Sequence, residues 1–346
     1  MIHKSNLLIF NYSMDMKDPL LSHQYEAVLA LANHFERIIV ITGKTGEISK
    51  HPKIEILSTD WTPGEKFRNM AQLFKIAIPV IVRGQFHSVF FHMTDLQCAL
   101  LSPIVRLRQR RQFLWYAHSH KSSYLAWSLK WITSVITSTP GSCPITGQRV
   151  IAIGQAIDEK RFSPIPFNEL NLNKLIHIGR FDKSKNIDLL ISESEKLHEL
   201  FPLIELKIVG KPSNSESQYW ATKLITTNKE KSDMSWLTFE DSINRNQFPT
   251  IMAENGCFFH AYMGSLDKTL IESTMLRVPV VSLNPEYLSI FGSWSKKKEV
   301  NLFDEYVALR GKSNKEIEIE LNRRLSIAQQ NHSLGNWVKQ LKFILN

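Results

Sequence analysis

Two cations, Arg180 and Lys185, follow Gly179 in the stretch LIHIGRFDKSKNIDLLI, residues 175–191. Residues 175–178 read as a buried strand, and Ile187, Leu190, Ile191 and Leu197 mark one face of a following helix. Both cations therefore fall in a strand-to-helix connection. In parallel α/β sheets ligands collect at the carboxyl ends of strands, where helix N-termini present free N–H groups. A diphosphate fits such a place, while solvated loop charge is the plainer reading of the same two residues. A second stretch, HAYMGSLDKTLIESTMLRVPVVSLN at 260–284, has a similar layout. There Gly264-Ser265 permits a tight turn and Asp267 can cap a helix. Lys268, in the first turn of that helix, opposes the helix dipole unless an anion sits beside it. Glu272 lies about one turn further on, where it is either a carboxylate for a ribose diol or a surface glutamate.

The elements that must position these residues alternate along the chain. Strands are expected at 7–10, 38–42, 54–57, 89–92, 113–116, 134–137 and 150–153, then at 175–178, 206–209, 236–239, 257–260 and 278–283. Helical patterns at 21–35, 66–83 and 96–108 separate several of them. That rhythm predicts βαβ units and parallel sheets. A chain of 346 residues, 43% hydrophobic, exceeds the usual span of one core, so two domains are expected. The proline-bearing stretch 160–174 reads as the linker between them, giving a first domain at 1–165, a second at 166–330 and a final helix at 331–346 that packs back toward the first.

A net charge of +9 and a pI near 9.3 call for an anionic partner, with nucleic acid, acidic lipid and phosphorylated substrate all open. Cys98, Cys143 and Cys257 share no spacing for zinc or a disulfide framework, which fits a reducing cytosol. The apolar runs at 7–10 and 76–82 are too short for a signal peptide or a membrane span, so a soluble protein is expected. Arg106, Arg108, Arg110 and Arg111 precede a segment holding Trp115, Tyr116, Tyr124, Trp127 and Trp131. These could meet an acceptor or an anionic membrane, or could be a cation-decorated helix end followed by a buried aromatic strand.

GRFDKSKNIDLL, the spacing to KIVG at 207–210, and LIESTMLRVPVV resemble the donor-binding half of glycosyltransferase family 4, a retaining family of GT-B fold. WYAHSH at 115–120 and VIAIGQAIDEKRF at 150–162 resemble its first half more loosely. The subgroup with a Gly-Ser-x-Asp-Lys turn is the most similar. The resemblance implies two Rossmann-like domains with parallel sheets facing a central cleft. It further implies Arg180 and Lys185 on the donor diphosphate, Glu272 on the nucleoside ribose and His118 facing the donor sugar. Gly179 and the turn of Gly264, Ser265, Leu266, Asp267 and Lys268 complete the implied donor site. The family pairs a second glutamate with Glu272, and here that position is Gly264, so any sugar contact must come from elsewhere, such as the turn backbone. The loop at 11–24 also lacks the paired glycines common there.

Sugar transfer leaves a diphosphate on which negative charge grows. Arg and Lys side chains with helix N-termini can stabilise it without a metal, and no Asp-x-Asp pair stands in the sequence to hold one. The expectation is a cytoplasmic enzyme, without metal or cofactor, that uses a nucleotide-sugar donor and a glycan or lipid-linked acceptor. Peripheral contact with the inner membrane face and a place in polysaccharide synthesis belong to the same expectation. In a retaining reaction the departing phosphate can take the acceptor proton, so His118 is assigned to positioning. His120, two residues on, would point the opposite way along a strand. An inactive binding subunit of the same fold and a sugar-nucleotide epimerase are the alternatives. Nucleic-acid binding is disfavoured because no recognition motif accompanies the charge.

Overall fold

The computed structural model describes residues 6–18, 21–230 and 234–346, and all twelve expected strands are present among them. The chain divides into two compact units, one reaching Ala156 and including Ser333–Asn346, the other spanning Ile157–His332.

In the first unit the order is β1 (Leu7–Met14), α1 (Ser22–Ala32), β2 (Ile38–Thr45), β3 (Ile54–Ser58), α2 (Lys66–Arg83), β4 (Ser88–His92) and α3 (Asp95–Leu107). It continues with β5 (Arg111–Trp115), α4 (Ser123–Ser128), β6 (Ser134–Thr137) and β7 (Val150–Ala152). The seven strands pair in parallel in the order β3-β2-β1-β4-β5-β6-β7. Successive strand residues face opposite sides of a sheet. Leu7 and Ile9 accordingly enter a core with Val28 and Leu31 of α1, while Leu8 and Phe10 enter another with Leu73 of α2 and Leu101 of α3. β1 runs through Met14, taking the first residues of the loop expected at 11–24 into the sheet; Pro19 and Leu20 of that loop lie outside the described residues.

The second unit runs β8 (Lys174–Ile178), α5 (Ile187–Leu200), β9 (Glu205–Val209), α6 (Ser215–Lys229), β10 (Leu237–Glu240), α7 (Phe248–Ala253), β11 (Cys257–His260) and α8 (Lys268–Met275). It ends with β12 (Val280–Ser282), α9 (Pro285–Phe291), α10 (Leu302–Arg310) and α11 (Asn314–His332). Its five strands are parallel, in the order β10-β9-β8-β11-β12. The order reverses direction between β8 and β11. In open α/β sheets that reversal opens a crevice at the strand carboxyl ends.

The boundary between the units lies earlier than the linker reading placed it. Ile157, Phe162, Ile165 and Phe167 are all buried in the cores of the second unit, so the proline-bearing stretch is packed structure. At the other end the last helix, α12 (Leu334–Leu345), belongs to the first unit. Its Trp337, Val338, Leu341 and Leu345 are buried there, with the Trp337 ring 5.7 Å from Trp115 and 5.9 Å from His92. Cys98, Cys143 and Cys257 are buried free thiols. No helix among the described residues is long and apolar enough to cross a membrane.

Trp337 is fully buried, so replacing it should leave a cavity that the rings around it cannot close. Trp337→Ala should lower the stability of the first unit by about 3–5 kcal/mol in urea titrations. An unchanged midpoint would mean that α12 is not part of that core.

Candidate functional site

The residues of both sequence stretches meet at the crevice between β8 and β11. After β8 the chain passes Gly179 and Arg180 and makes one 3-10 turn, residues Lys183–Lys185. Asn186 then takes a left-handed conformation (φ 51°) and α5 begins. The Asn186 side chain donates to the Ala261 carbonyl at 3.0 Å, tying this loop to the end of β11. Lys185 is swung inward. Its side chain is 6% exposed, its Nζ lies 2.5 Å from Asp267 Oδ2, and the same ammonium sits 3.8 Å from the centroid of the Tyr262 ring. Arg180 behaves differently: its side chain is 58% exposed and its Nε is 3.5 Å from Asp182 Oδ2.

Asp267 does occupy the N-cap position of α8, as expected, but its side chain caps nothing. Its Oδ2 accepts from Lys185 and lies 3.1 Å from His260 Nε2. Burial alone would raise the Asp267 pKa, yet the His260 bond and the Lys185 charge hold it well below the usual carboxylate range. An ionised Asp267 fixes the tautomer of His260, which must carry its proton on Nε2. Nδ1 then accepts from the Ser282 hydroxyl at 3.2 Å, and Ser282 Oγ in turn accepts from the Asn284 N–H at 3.0 Å. Behind them, His177 donates from Nδ1 to the Phe259 carbonyl at 2.9 Å. Its Nε2 is buried without a partner among the described residues, and a Cβ at Gly179 would come within 2.8 Å of it. Close packing against this imidazole explains the glycine before Arg180.

The turn at 262–267 is templated by Asn284, which is wholly buried. Its side-chain amide donates to the carbonyls of Tyr262 (3.1 Å), Gly264 (3.1 Å) and Ser265 (3.3 Å). Gly264 is not among the glycines at positive φ; its role is to leave room, since a Cβ there would lie 2.0 Å from the Tyr262 hydroxyl. Ser265 and Leu266 are buried, and Lys268 opens α8 half-buried.

Glu272 is not a surface glutamate. It is 4% exposed and pairs with Arg245, which the loop after β10 delivers. Arg245, Tyr262, His177, His260 and Asn284 were not singled out in the sequence. For Arg245 no local signal existed, because its partner is 27 residues away; the histidines at the ends of two apolar strands were a signal, since such positions face the crevice.

In the first unit, His118 and His120 follow the end of β5 rather than lying on it, and both are exposed. Opposite strand faces therefore do not distinguish them. The His118 ring meets Tyr116 edge-on at 5.6 Å, and the Tyr116 hydroxyl donates to the His120 carbonyl at 2.6 Å. The arginine cluster sits at the other edge of the same sheet, at the end of α3 and the start of β5, about 17 Å away for a five-residue strand. Arg110 stacks over Phe86; Arg111 stacks over Phe113 and donates to the Ile344 carbonyl of α12. Arg106 and Arg108 are exposed beside Leu107, which is 82% exposed. Trp115 and Tyr116 are core residues, whereas Tyr124 and Trp127 are about half exposed.

Among the described residues no three His, Cys, Asp or Glu side chains gather as a metal site. No protein-family model and no curated protein sequence matches the chain. Solved structures do. The Anabaena protein Alr3699/HepE in complex with UDP-glucose aligns over 99% of both chains with a TM-score of 0.74 at 13% identity. A glycosyltransferase from Rickettsia africae aligns over 99% of this chain and 98% of its own, at a TM-score of 0.70 and 11% identity. The lipopolysaccharide outer core galactosyltransferase WaaB aligns over 98% and 99%, at 0.64 and 10%. The fold is GT-B.

His177, His260 and His332 are buried, and burial lowers the pKa of each, to about 3 for His177 and about 4 for His332. The unfolded chain binds these protons first, so stability is full above the ordinary histidine pKa of about 6.5 and falls as pH drops from there toward 4. With about 1.4 kcal/mol per proton per pH unit, three such groups should make the second unit distinctly acid-labile. Urea unfolding at pH 7 and pH 5 should show a lower midpoint at pH 5, and His332→Gln should flatten the dependence. Equal midpoints would show that these histidines titrate normally.

Proposed function

We propose that the chain is a glycosyltransferase that moves a sugar from a nucleotide-sugar donor to a glycan or lipid-linked acceptor. The observation that carries the reading is the crevice at the carboxyl edge of the five-stranded sheet. There Arg180, Lys185 and the N-terminus of α8 bring positive charge and N–H donors to the place where such sheets bind ligands. Structural neighbours with UDP and UDP-glucose bound support a nucleotide-sugar donor.

In this reading Arg180 and Lys185 stabilise the diphosphate as the bond from sugar carbon to phosphate oxygen breaks. Charged donors held in place before the reaction lower the barrier where charge develops. The acceptor oxygen bonds to the sugar on the face the diphosphate leaves, and the acceptor proton passes to the departing phosphate oxygen, with retention at that carbon. His118 positions the sugar, and Glu272, held by Arg245, accepts from the ribose hydroxyls. The cations replace a metal. The product belongs to cell-surface polysaccharide or glycoconjugate synthesis at the cytoplasmic face of the membrane. Arg106, Leu107 and Arg108 form the contact with anionic lipid, because Arg110 and Arg111 are already engaged within the fold.

A donor-turnover assay over UDP-, GDP- and ADP-sugars should detect transfer that survives excess EDTA, and Arg180→Ala should lower kcat on the order of 10²-fold or more. Hydrolysis or epimerisation without acceptor transfer would favour the epimerase. Absence of any turnover by a protein that binds nucleotides would favour the inactive subunit, and Mg²⁺-dependent recovery after EDTA would refute metal independence. Replacing Arg106 and Arg108 by Ser should cut sedimentation with phosphatidylglycerol vesicles roughly tenfold or more, at about 1 kcal/mol per cation, with the melting temperature unchanged. Undiminished pelleting would place the membrane contact elsewhere.

A further inference from the structure

We infer that Asp267 is the specificity-determining residue for the donor sugar, accepting hydrogen bonds from its hydroxyls through Oδ1. The inference rests on the nucleotide-sugar reading of the site. A carboxylate at position 264 would have to displace the Tyr262 ring. A Cβ there would meet the Tyr262 hydroxyl at 2.0 Å and its ring carbon Cζ at 2.1 Å, and that ring is the one lying against the Lys185 ammonium. Any side chain at 264 would therefore require the Tyr262 ring to shift.

Three residues later a carboxylate is present and only half used. Both hydrogen bonds that the structure gives the Asp267 side chain go through Oδ2, to Lys185 and His260, which leaves Oδ1 for another donor. The side chain is 26% exposed, so the carboxylate reaches the crevice while remaining anchored beneath it. Helix capping does not explain it, because the side chain accepts from none of the α8 N–H groups. Neutralising Lys185 does not explain it either, since that needs only one of the two oxygens.

The arrangement suits a polyol. Two anions repel, so a free carboxylate beside a diphosphate is tolerable only with a cation between them, and Lys185 takes that place through its direct bond to Oδ2. An ionised oxygen held rigid by two bonds accepts strongly from hydroxyl donors. A site built to bond a hydroxyl also discriminates sharply against an analogue that lacks it.

The test is isothermal titration of the parent and Asp267→Asn with each nucleoside diphosphate and its sugar nucleotide. The expected result is that the ratio of sugar-nucleotide to nucleoside-diphosphate affinity falls about tenfold or more in Asp267→Asn. A deoxy-sugar donor should show the same fall in the parent and none in the variant. Should Asp267→Asn fail to fold because Lys185 loses its counter-ion, the double variant Lys185→Met, Asp267→Ala removes both charges, and the same ratio is read in it. A common shift of both affinities, with the ratio kept, would make Asp267 a structural counter-ion and overturn the inference. A parent that binds nucleoside diphosphates but no sugar nucleotide would overturn it too. A parent that binds neither would instead refute the nucleotide-sugar reading.

Discussion

The buried ion pair between Lys185 and Asp267 is the contact on which the rest of the crevice depends. Each partner is brought by a different strand-to-helix connection, and each would be costly to bury alone. Removing one partner of such a pair commonly costs about 3–5 kcal/mol, because the other is left uncompensated. The surrounding groups satisfy what remains. Tyr262 faces the ammonium, His260 bonds the carboxylate, Ser282 and Asn284 fix the imidazole, and Asn284 also holds the turn that carries Tyr262. The chain of contacts runs through the ends of three neighbouring strands, β8, β11 and β12, so a shift at any one of them is felt at the others. Partly satisfied polar networks are expensive, and this one is nearly closed. Among the described residues the His177 Nε2, buried behind the network, has no partner.

Glycine appears at this edge where chains must nearly touch. A Cβ at Gly210 would come within 1.8 Å of the Gly179 carbonyl, and one at Gly179 would press on His177. The ends of β8 and β9 thus stay close, and Asp182 reaches across to accept from the N–H and hydroxyl of Ser213 at 3.2 and 2.8 Å. The Asp182 carboxylate in turn lies beside Arg180. Close backbone packing here is what lets one exposed and one buried cation occupy fixed positions within seven residues of the end of the same strand.

Strands were legible in the sequence because buried parallel strands are short apolar runs with sharp polar edges, and 134–137 and 257–260 coincide with β6 and β11. The connections carrying Arg180, Lys185 and Asp267 followed from that. What each side chain does was not legible. Asp267 sits where a cap belongs, but a buried ammonium 82 residues away competes successfully for its oxygen. Glu272 reads as a surface residue on α8 because the Arg245 that draws it inward comes from a separate loop. The proline-bearing stretch after β7 reads as a linker because its apolar residues, Phe162, Ile165 and Phe167 among them, follow no helical period, yet these three are buried in the cores. Arg110 and Arg111 resemble free surface cations until Phe86, Phe113 and the end of α12 are placed beside them.

The return of α12 to the first unit has a consequence for how the protein is made. The second unit is one continuous stretch, Ile157–His332, whereas the first is assembled from the early part of the chain and Ser333–Asn346. Translation is slow compared with the packing of a domain, so domains fold in the order their residues leave the ribosome. The seven-stranded sheet emerges first but lacks Trp337, Val338, Leu341 and Leu345 until nearly two hundred further residues have been added. Over that interval the apolar surface around Phe90, Phe113 and Trp115 waits uncovered, and the later unit completes its core before the earlier one. The nascent chain thus carries its greatest risk of clumping in the half that was synthesised first.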